Sequence, residues 1–441
     1  MSDDTSSEQG LAEHTSGLST SDPETDPSDL RPLRDALANA RVVGLGEATH
    51  GTREFCELRH RVVRLLVENL DYRLFGLEAG FTETLAIDNY VVRGEGDPRE
   101  ALAGLDLWPW NTEEMLALVE WLREFNADRP LDDRVRFYGF DAQFVEKPVV
   151  AVREYLSAVD PDGLAEIADD ICSLESKDVR GERYAVAKEH VDAAEATVAA
   201  LTDRFERRED EYVDTTSRNA YDLARRQLRT IEQATEFARA SHEHDEPRGA
   251  VSLRDEYMVE NVAWILNHED RDRIVLWAHN GHLMKTGTDG GPWEEFTPMG
   301  SHLAERFGED YHVIGTDFNR GSFLATPDPV DVEDPEPRPF TVGRFHEEEP
   351  YDGEPWAPDR PLNGALTGLD PDPLYLDVAA AADDPGLGDW LACRHPVRDI
   401  GNAFWDESFH LGGFRLPVEL DGLLFVETST PTRLLDGEAS K

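Results

Sequence analysis

Short apolar runs recur along the chain, each bounded by charged or turn residues. They are Arg41–Gly46, Arg73–Leu77, Arg134–Phe140, Arg273–Ala278, His312–Thr316 and Gly422–Val426. Runs of this length with little polar alternation are the pattern of strands covered on both faces. Between them the apolar positions change to a helical period, as at Leu58, Val62, Leu65, Leu66 and Asn69, and again at Met258, Val262, Ile265 and Leu266. Strand and helix in alternation predict an α/β fold with a mainly parallel sheet flanked by helices. Residues 147–245 break the alternation. They are rich in Ala, Glu and Arg with long helical spacing, which predicts an inserted all-helical subdomain, a candidate cap. Residues 327–373 are rich in Pro, Asp and Glu and read as a long surface excursion with a strand at Pro339–Val342. No fixed-period repeat stands out. The expected organisation is an acidic, disordered segment at 1–29, an α/β catalytic domain at 30–146 and 246–435, and the helical insertion at 147–245.

Composition changes this picture in one respect. Across 441 residues, 92 Asp and Glu face 43 Lys and Arg, a net charge of −49, and the hydrophobic share of 39% still supports a core. The acid is spread over segments with clear apolar periodicity, so it is a property of the folded surface. In molar salt the screening length falls to about 3 Å and such a surface stops repelling itself. This composition predicts a halophilic protein. Nucleic acid is not an expected partner, because clustered Lys and Arg are missing. Cys56, Cys172 and Cys393 are far apart, with no CxxC pair. That spacing predicts free thiols in a reducing cytoplasm. No run of about 18 apolar residues predicts a membrane span, and the polar N-terminus has no apolar signal core.

Chemistry gathers after the strands. Glu47 and His50 follow the first run, Glu78 the second, Asp141 the third, His279 the fourth and Asp317 the fifth. Open parallel sheets bind ligands at these carboxyl ends. The string Gly46-Glu47-Ala48-Thr49-His50-Gly51 is the sharpest segment: glycines at both ends allow close backbone approach, and between them stand a carboxylate and an imidazole three residues apart. The carboxylate can fix the imidazole's tautomer and raise its basicity. Downstream, Ala278-His279-Asn280-Gly281-His282 places two histidines at i and i+3. That pair suits metal binding, divided catalytic roles or a plain hydrogen-bonded pair. Arg59 lies on the helix after His50, where its donors suit an oxyanion or a carboxylate. Its neighbours His60, Arg61 and Arg64 read as a solvated face. There is no GxSxG, no P-loop and no GxGxxG, so serine-hydrolase and nucleotide-loop chemistry have no sequence support.

These residues resemble the GExxHG signature of the erythromycin esterase family. The resemblance extends in order through Arg59, Phe75-Gly76-Leu77-Glu78, Gly139-Phe140-Asp141, the helix bearing Arg254, Asp255, Met258, Asn261 and Trp264, and Ala278-His279-Asn280-Gly281-His282. It spans about residues 31–430. It implies hydrolysis of a macrolactone-like ester by activated water, with no cofactor and no required metal. In that scheme His50 is the general base, Glu47 and Glu78 orient the base and the water, Arg59 stabilises the oxyanion or orders the site, and His282 assists as proton donor or second base. His279, Asp141, Asp317 and Trp110 are the expected substrate-binding residues. The expected partner is a small-molecule ester or lactone. Two alternatives stand beside this reading. One is a metal-dependent hydrolase using His50, His279, His282, Glu47 and Glu78; the other is a family member serving secondary metabolism without esterase activity.

Overall fold

The computed structural model describes residues 10–165, 174, 186–243, 248–287, 296–327, 336–344, 362–367, 369–370, 372–407 and 410–435. Cys172 and parts of 147–245 and 327–373 lie outside these. By contact the chain divides into two units. The first comprises residues 1–78, 86–137 and 264–441, and the second 79–85 and 138–263.

The strands in chain order are β1 Thr15–Gly17, β2 Val42–Leu45, β3 Leu74–Gly80, β4 Arg136–Asp141, β5 Ile274–Trp277, β6 Tyr311–Ala325, β7 Arg338–Val342, β8 Leu374–Asp377, β9 His395–Arg398, β10 Leu411–Phe414 and β11 Gly422–Ser429. The main sheet runs β1-β8-β11-β6-β2-β5-β3-β4, with β7 paired to β6. β2 sits between β5 and β6, parallel to both, with Val42 opposite Ile274 on one side and Tyr311 on the other. The β3–β5 and β6–β11 pairs are also parallel. All four residues of β2 are buried, as are all four of β5, which is why these segments read as unbroken apolar runs. The fold is therefore α/β, a mostly parallel sheet with flanking helices. The sheet's margin is antiparallel: β8 pairs with β11 and β1 with β8. β9 and β10 form a separate hairpin.

Three expectations need correction. The fifth run does not stop at Thr316. β6 continues to Ala325 because its far half pairs with both β11 and β7, so Asp317 lies within a strand and not after one. Residues 10–29, expected to be disordered, are ordered. Leu11 and Leu18 are buried, and Thr15–Gly17 pairs with Leu374–Leu376. Arg61 and Arg64, on the face expected to be solvated, are bonded to this same segment, and His60 packs against Trp121. Arg61 donates to the Thr20 carbonyl (2.5 Å) and to Asp29 Oδ1 (2.6 Å), and Arg64 donates to the Pro23 carbonyl (2.7 Å). His60 is buried, and burial pushes its imidazole down to about 3. The cationic face and the acidic lead-in each looked solvent-exposed because each is polar; paired, they enclose Arg61, while Glu24 stays exposed.

The second unit is built on the helices Glu146–Val159, Val191–Arg207, Glu209–Thr215 and Arg218–Glu243 and most of Arg248–His268. Val149, Val152, Leu156, Val198, Leu201 and Ile231 contribute to their shared apolar core. Burial alone would raise the carboxyl of Asp160, but donors from Tyr212 Oη (2.7 Å), Arg208 and Arg204 Nη1 (2.6 Å) outweigh it and hold it at about 2. Asp141 also belongs to this unit. Arg254 grips it with two parallel bonds of 2.8 Å, and Gln143 Nε2 donates at 2.6 Å.

Candidate active site

The site lies in the first unit and follows from strand order. β2, β5 and β3 are neighbours, so the loop after β2, the loop after β5 and the last part of β3 meet. β2 delivers Glu47 and His50, β5 delivers His279 and His282, and β3 carries Glu78.

The loop after β2 is bonded on every side. Ala48 N donates to Thr316 Oγ1 (3.0 Å), Asn280 N to the Glu47 carbonyl (2.8 Å) and His50 N to the Gly401 carbonyl (3.1 Å). Asn280 also exchanges two hydrogen bonds with the Thr316 backbone, at 2.9 and 3.2 Å. Gly51 is required where it stands, since a Cβ there would lie 1.9 Å from the Leu324 carbonyl oxygen.

Inside this frame, His50 Nδ1–H donates to Glu47 Oε1 at 2.5 Å. Arg59 Nη2 donates to the other oxygen, Oε2. The Glu47 side chain is completely enclosed, as is that of Arg59, whose guanidinium stacks 3.8 Å from the centre of the Trp277 ring. A buried carboxylate is tolerable only when its oxygens are met, and here a cation meets one and an imidazole the other. Arg59 therefore acts on Glu47 and presents no open face. His50 Nε2 has no hydrogen-bond partner among the described residues, and the side chain keeps 10% exposure. The ring stands 5.3 Å from Trp110, edge-on, and 5.4 Å from His279. Trp110 Nε1 donates to the Glu78 carbonyl (3.0 Å), which fixes it as a wall beside His50.

Glu78 forms a second carboxylate–imidazole pair. Oε1 lies 3.2 Å from His282 Nε2, and Oε2 accepts from His279 N at 2.9 Å. His279 stands at the start of the Asn280–Leu283 helical turn, its Nδ1 3.2 Å from Gly281 N, and burial lowers its pKa.

The structure thus brings together Glu47, His50, Arg59, Glu78, His279, His282 and Trp110. Asp317 is engaged elsewhere. It is wholly buried, bonded by Asn363 Nδ2 and the Phe318 amide, and burial raises it to about 7 against the opposing pull of Arg398. Among the described residues, no group of three or more His, Cys, Asp or Glu stands in metal-holding geometry. Cys56 and Cys393 are free thiols, and burial raises that of Cys56. No helix of the described residues is long and apolar enough to cross a membrane. Sequence reading missed Asp399, Ile400 and Gly401, which bond to the His50 loop and to His279. Asp399 follows a strand just as the other acids do, but β9, His-Pro-Val-Arg, carries no apolar run by which to find it.

The family model described as erythromycin esterase matches residues 67–429, a span that opens downstream of Glu47 and His50. The chain is 26% identical over 351 residues to the erythromycin esterase type II of Escherichia coli, covering 75% of this chain and 80% of that protein. The crystal structure of a Bacillus cereus protein is similar over 98% of this chain and 99% of that one, with TM-score 0.81 and 25% identity. An erythromycin esterase mutant solved in its open conformation shares the fold, with TM-score 0.70 at 18% identity over 97% of this chain and 99% of that one. Fold and relatives define a hydrolase of the esterase type. The chain belongs to the erythromycin esterase family.

Proposed function

We propose that the protein hydrolyses an ester or lactone of a small molecule, macrolactone-like in class, with water activated by His50 and without a metal. The observation that carries this reading is the 2.5 Å contact between His50 Nδ1 and Glu47, with Arg59 on the other carboxylate oxygen. Glu47 fixes the ring and its tautomer, so Nε2 is the basic nitrogen and takes a proton from water as the water oxygen attacks the carbonyl carbon. The carbon–oxygen bond of the ester then breaks. His282, paired with Glu78, gives the leaving alkoxide its proton. Arg59 holds Glu47 in place and does not touch substrate. Trp110 stands edge-on beside His50, where it bounds the space open to substrate.

The excess of acid supports a working environment of high salt inside the cell. The test is therefore hydrolysis in molar KCl of aryl esters, lactones and a macrolide, by the wild-type chain and His50→Ala, with and without a chelator. Turnover that vanishes in the variant while the fold persists is expected. Turnover surviving in His50→Ala would sink the role of His50, and loss to the chelator with recovery on adding metal would sink the metal-free scheme. Unfolding midpoints should rise with KCl; a flat response would overturn the halophilic reading.

A further inference from the structure

His279 sits in the family-like segment and borders His50, which makes it a natural second base. Its surroundings speak against that. Nδ1 faces Gly281 N at 3.2 Å and Nε2 faces Gly401 N at 3.1 Å, and both backbone groups are donors. A neutral imidazole can accept from one of them. An imidazolium can accept from neither, and would point two N–H groups at two N–H groups. One feature favours the charged form: Asp399 Oδ1, 3.4 Å from Nε2, with Glu78 also nearby. Against it stand burial, which is the larger effect, and the neighbouring His50 and His282. Neither ring nitrogen is left open for a substrate proton.

What the ring holds in place is informative. Gly401 donates its N–H to His279 and accepts at its carbonyl from His50 N (3.1 Å); the adjacent Ile400 N donates to the Ala48 carbonyl (2.8 Å). The Asp399–Gly401 segment is thus laced to both sides of the loop that carries the base. Gly401 has φ +66, a conformation that other residues adopt at a cost.

We propose that His279 is a positioning residue: a hydrogen-bond acceptor that seats Gly401, and through Gly401 sets the backbone of His50. Proton transfer then belongs to His50 and His282 alone. This rests on the reading of His50 as the base.

The test compares His279→Asn, His279→Gln and His279→Ala in the full chain in molar KCl, on whichever ester the panel identifies, beside His50→Ala. Asn and Gln keep a hydrogen-bond acceptor but cannot carry a proton at neutral pH. They are expected to retain kcat within about tenfold and to keep the acidic limb of the wild-type pH profile, whereas Ala loses about a hundredfold, as for removal of a group that orients a catalytic one. His50→Ala loses about 10⁴-fold, the upper range for a general base. If Asn, Gln and Ala fall together while thermal melting shows intact folds, or if the acidic limb disappears with Asn, His279 moves protons and the inference is overturned. If His50→Ala keeps its activity, the base assignment fails instead, which is a separate result. Should the Ala variant not fold, Asn against Gln and the pH profile still decide.

Discussion

Glu47 and Asp141 are alike in sequence: each is a carboxylate at the end of a buried strand, and an arginine on a helix meets each. They differ in how the arginine takes hold. Arg254 occupies both oxygens of Asp141 with a parallel pair of bonds, leaving a closed ion pair. Arg59 takes one oxygen of Glu47 and leaves the other to His50. A fork engaged at both tines makes a structural joint. Engaged at one, it makes a braced carboxylate that can still steer an imidazole. Asp317 is a third case: among the described residues no cation bonds its oxygens, and an asparagine amide does so instead.

The comparison can be broken most forcefully at Glu47. Glu47→Gln keeps the shape but removes the charge that fixes the tautomer of His50, and kcat should fall by about 10⁴-fold, as when a triad carboxylate becomes an amide. A loss of only a few fold would mean that Glu47 is as structural as Asp141. Next come the arginines. Arg59→Met and Arg254→Met each strand a buried carboxylate, and denaturant unfolding should show each variant destabilised by about 3–5 kcal/mol. Arg59→Met should also lower kcat; if it does not, the bracing of Glu47 is not needed for catalysis.

The last effect is at Asp317, leaves catalysis aside and depends on pH. Burial raises its folded pKa to about 7 from an ordinary 3.8, so the folded state holds this proton more tightly than the unfolded one. Its contribution to stability is complete below the ordinary value and is lost as pH climbs toward 7. Asp317→Asn should flatten that decline: the variant gains on the wild type as pH rises from about 4 to about 7. Parallel stability curves for the two would contradict the raised pKa.

Much of this was legible in the chain because burial on both faces leaves uninterrupted apolar runs. β2, β3, β4, β5, β6 and β11 all announce themselves in that way. The resemblance in ordered motifs brought Glu47, His50, Glu78, Arg59, His279 and His282 into one site. The misses share a cause. β1, β9 and β10, Thr-Ser-Gly, His-Pro-Val-Arg and Leu-Gly-Gly-Phe, carry no unbroken apolar run, unlike the equally short β2 and β5. Arg61 and the acidic lead-in are polar on both sides of their contact, and polarity alone reads as solvent. Asp317 looked like a strand end because the polar Asp-Phe-Asn-Arg stretch ends the apolar run, while the backbone pairing continues through it.

The N-terminal segment also constrains how the molecule is made. Thr15 pairs with Leu376, so this strand must wait for a partner about 360 residues later in synthesis. A greasy strand left waiting that long would invite the wrong neighbour. This one is three residues long, set in a stretch of Ser, Thr, Asp and Glu that water keeps dissolved. The same acidity that disguises it in the sequence keeps it soluble until its partner exists, and its pairing with β8 closes that edge of the sheet.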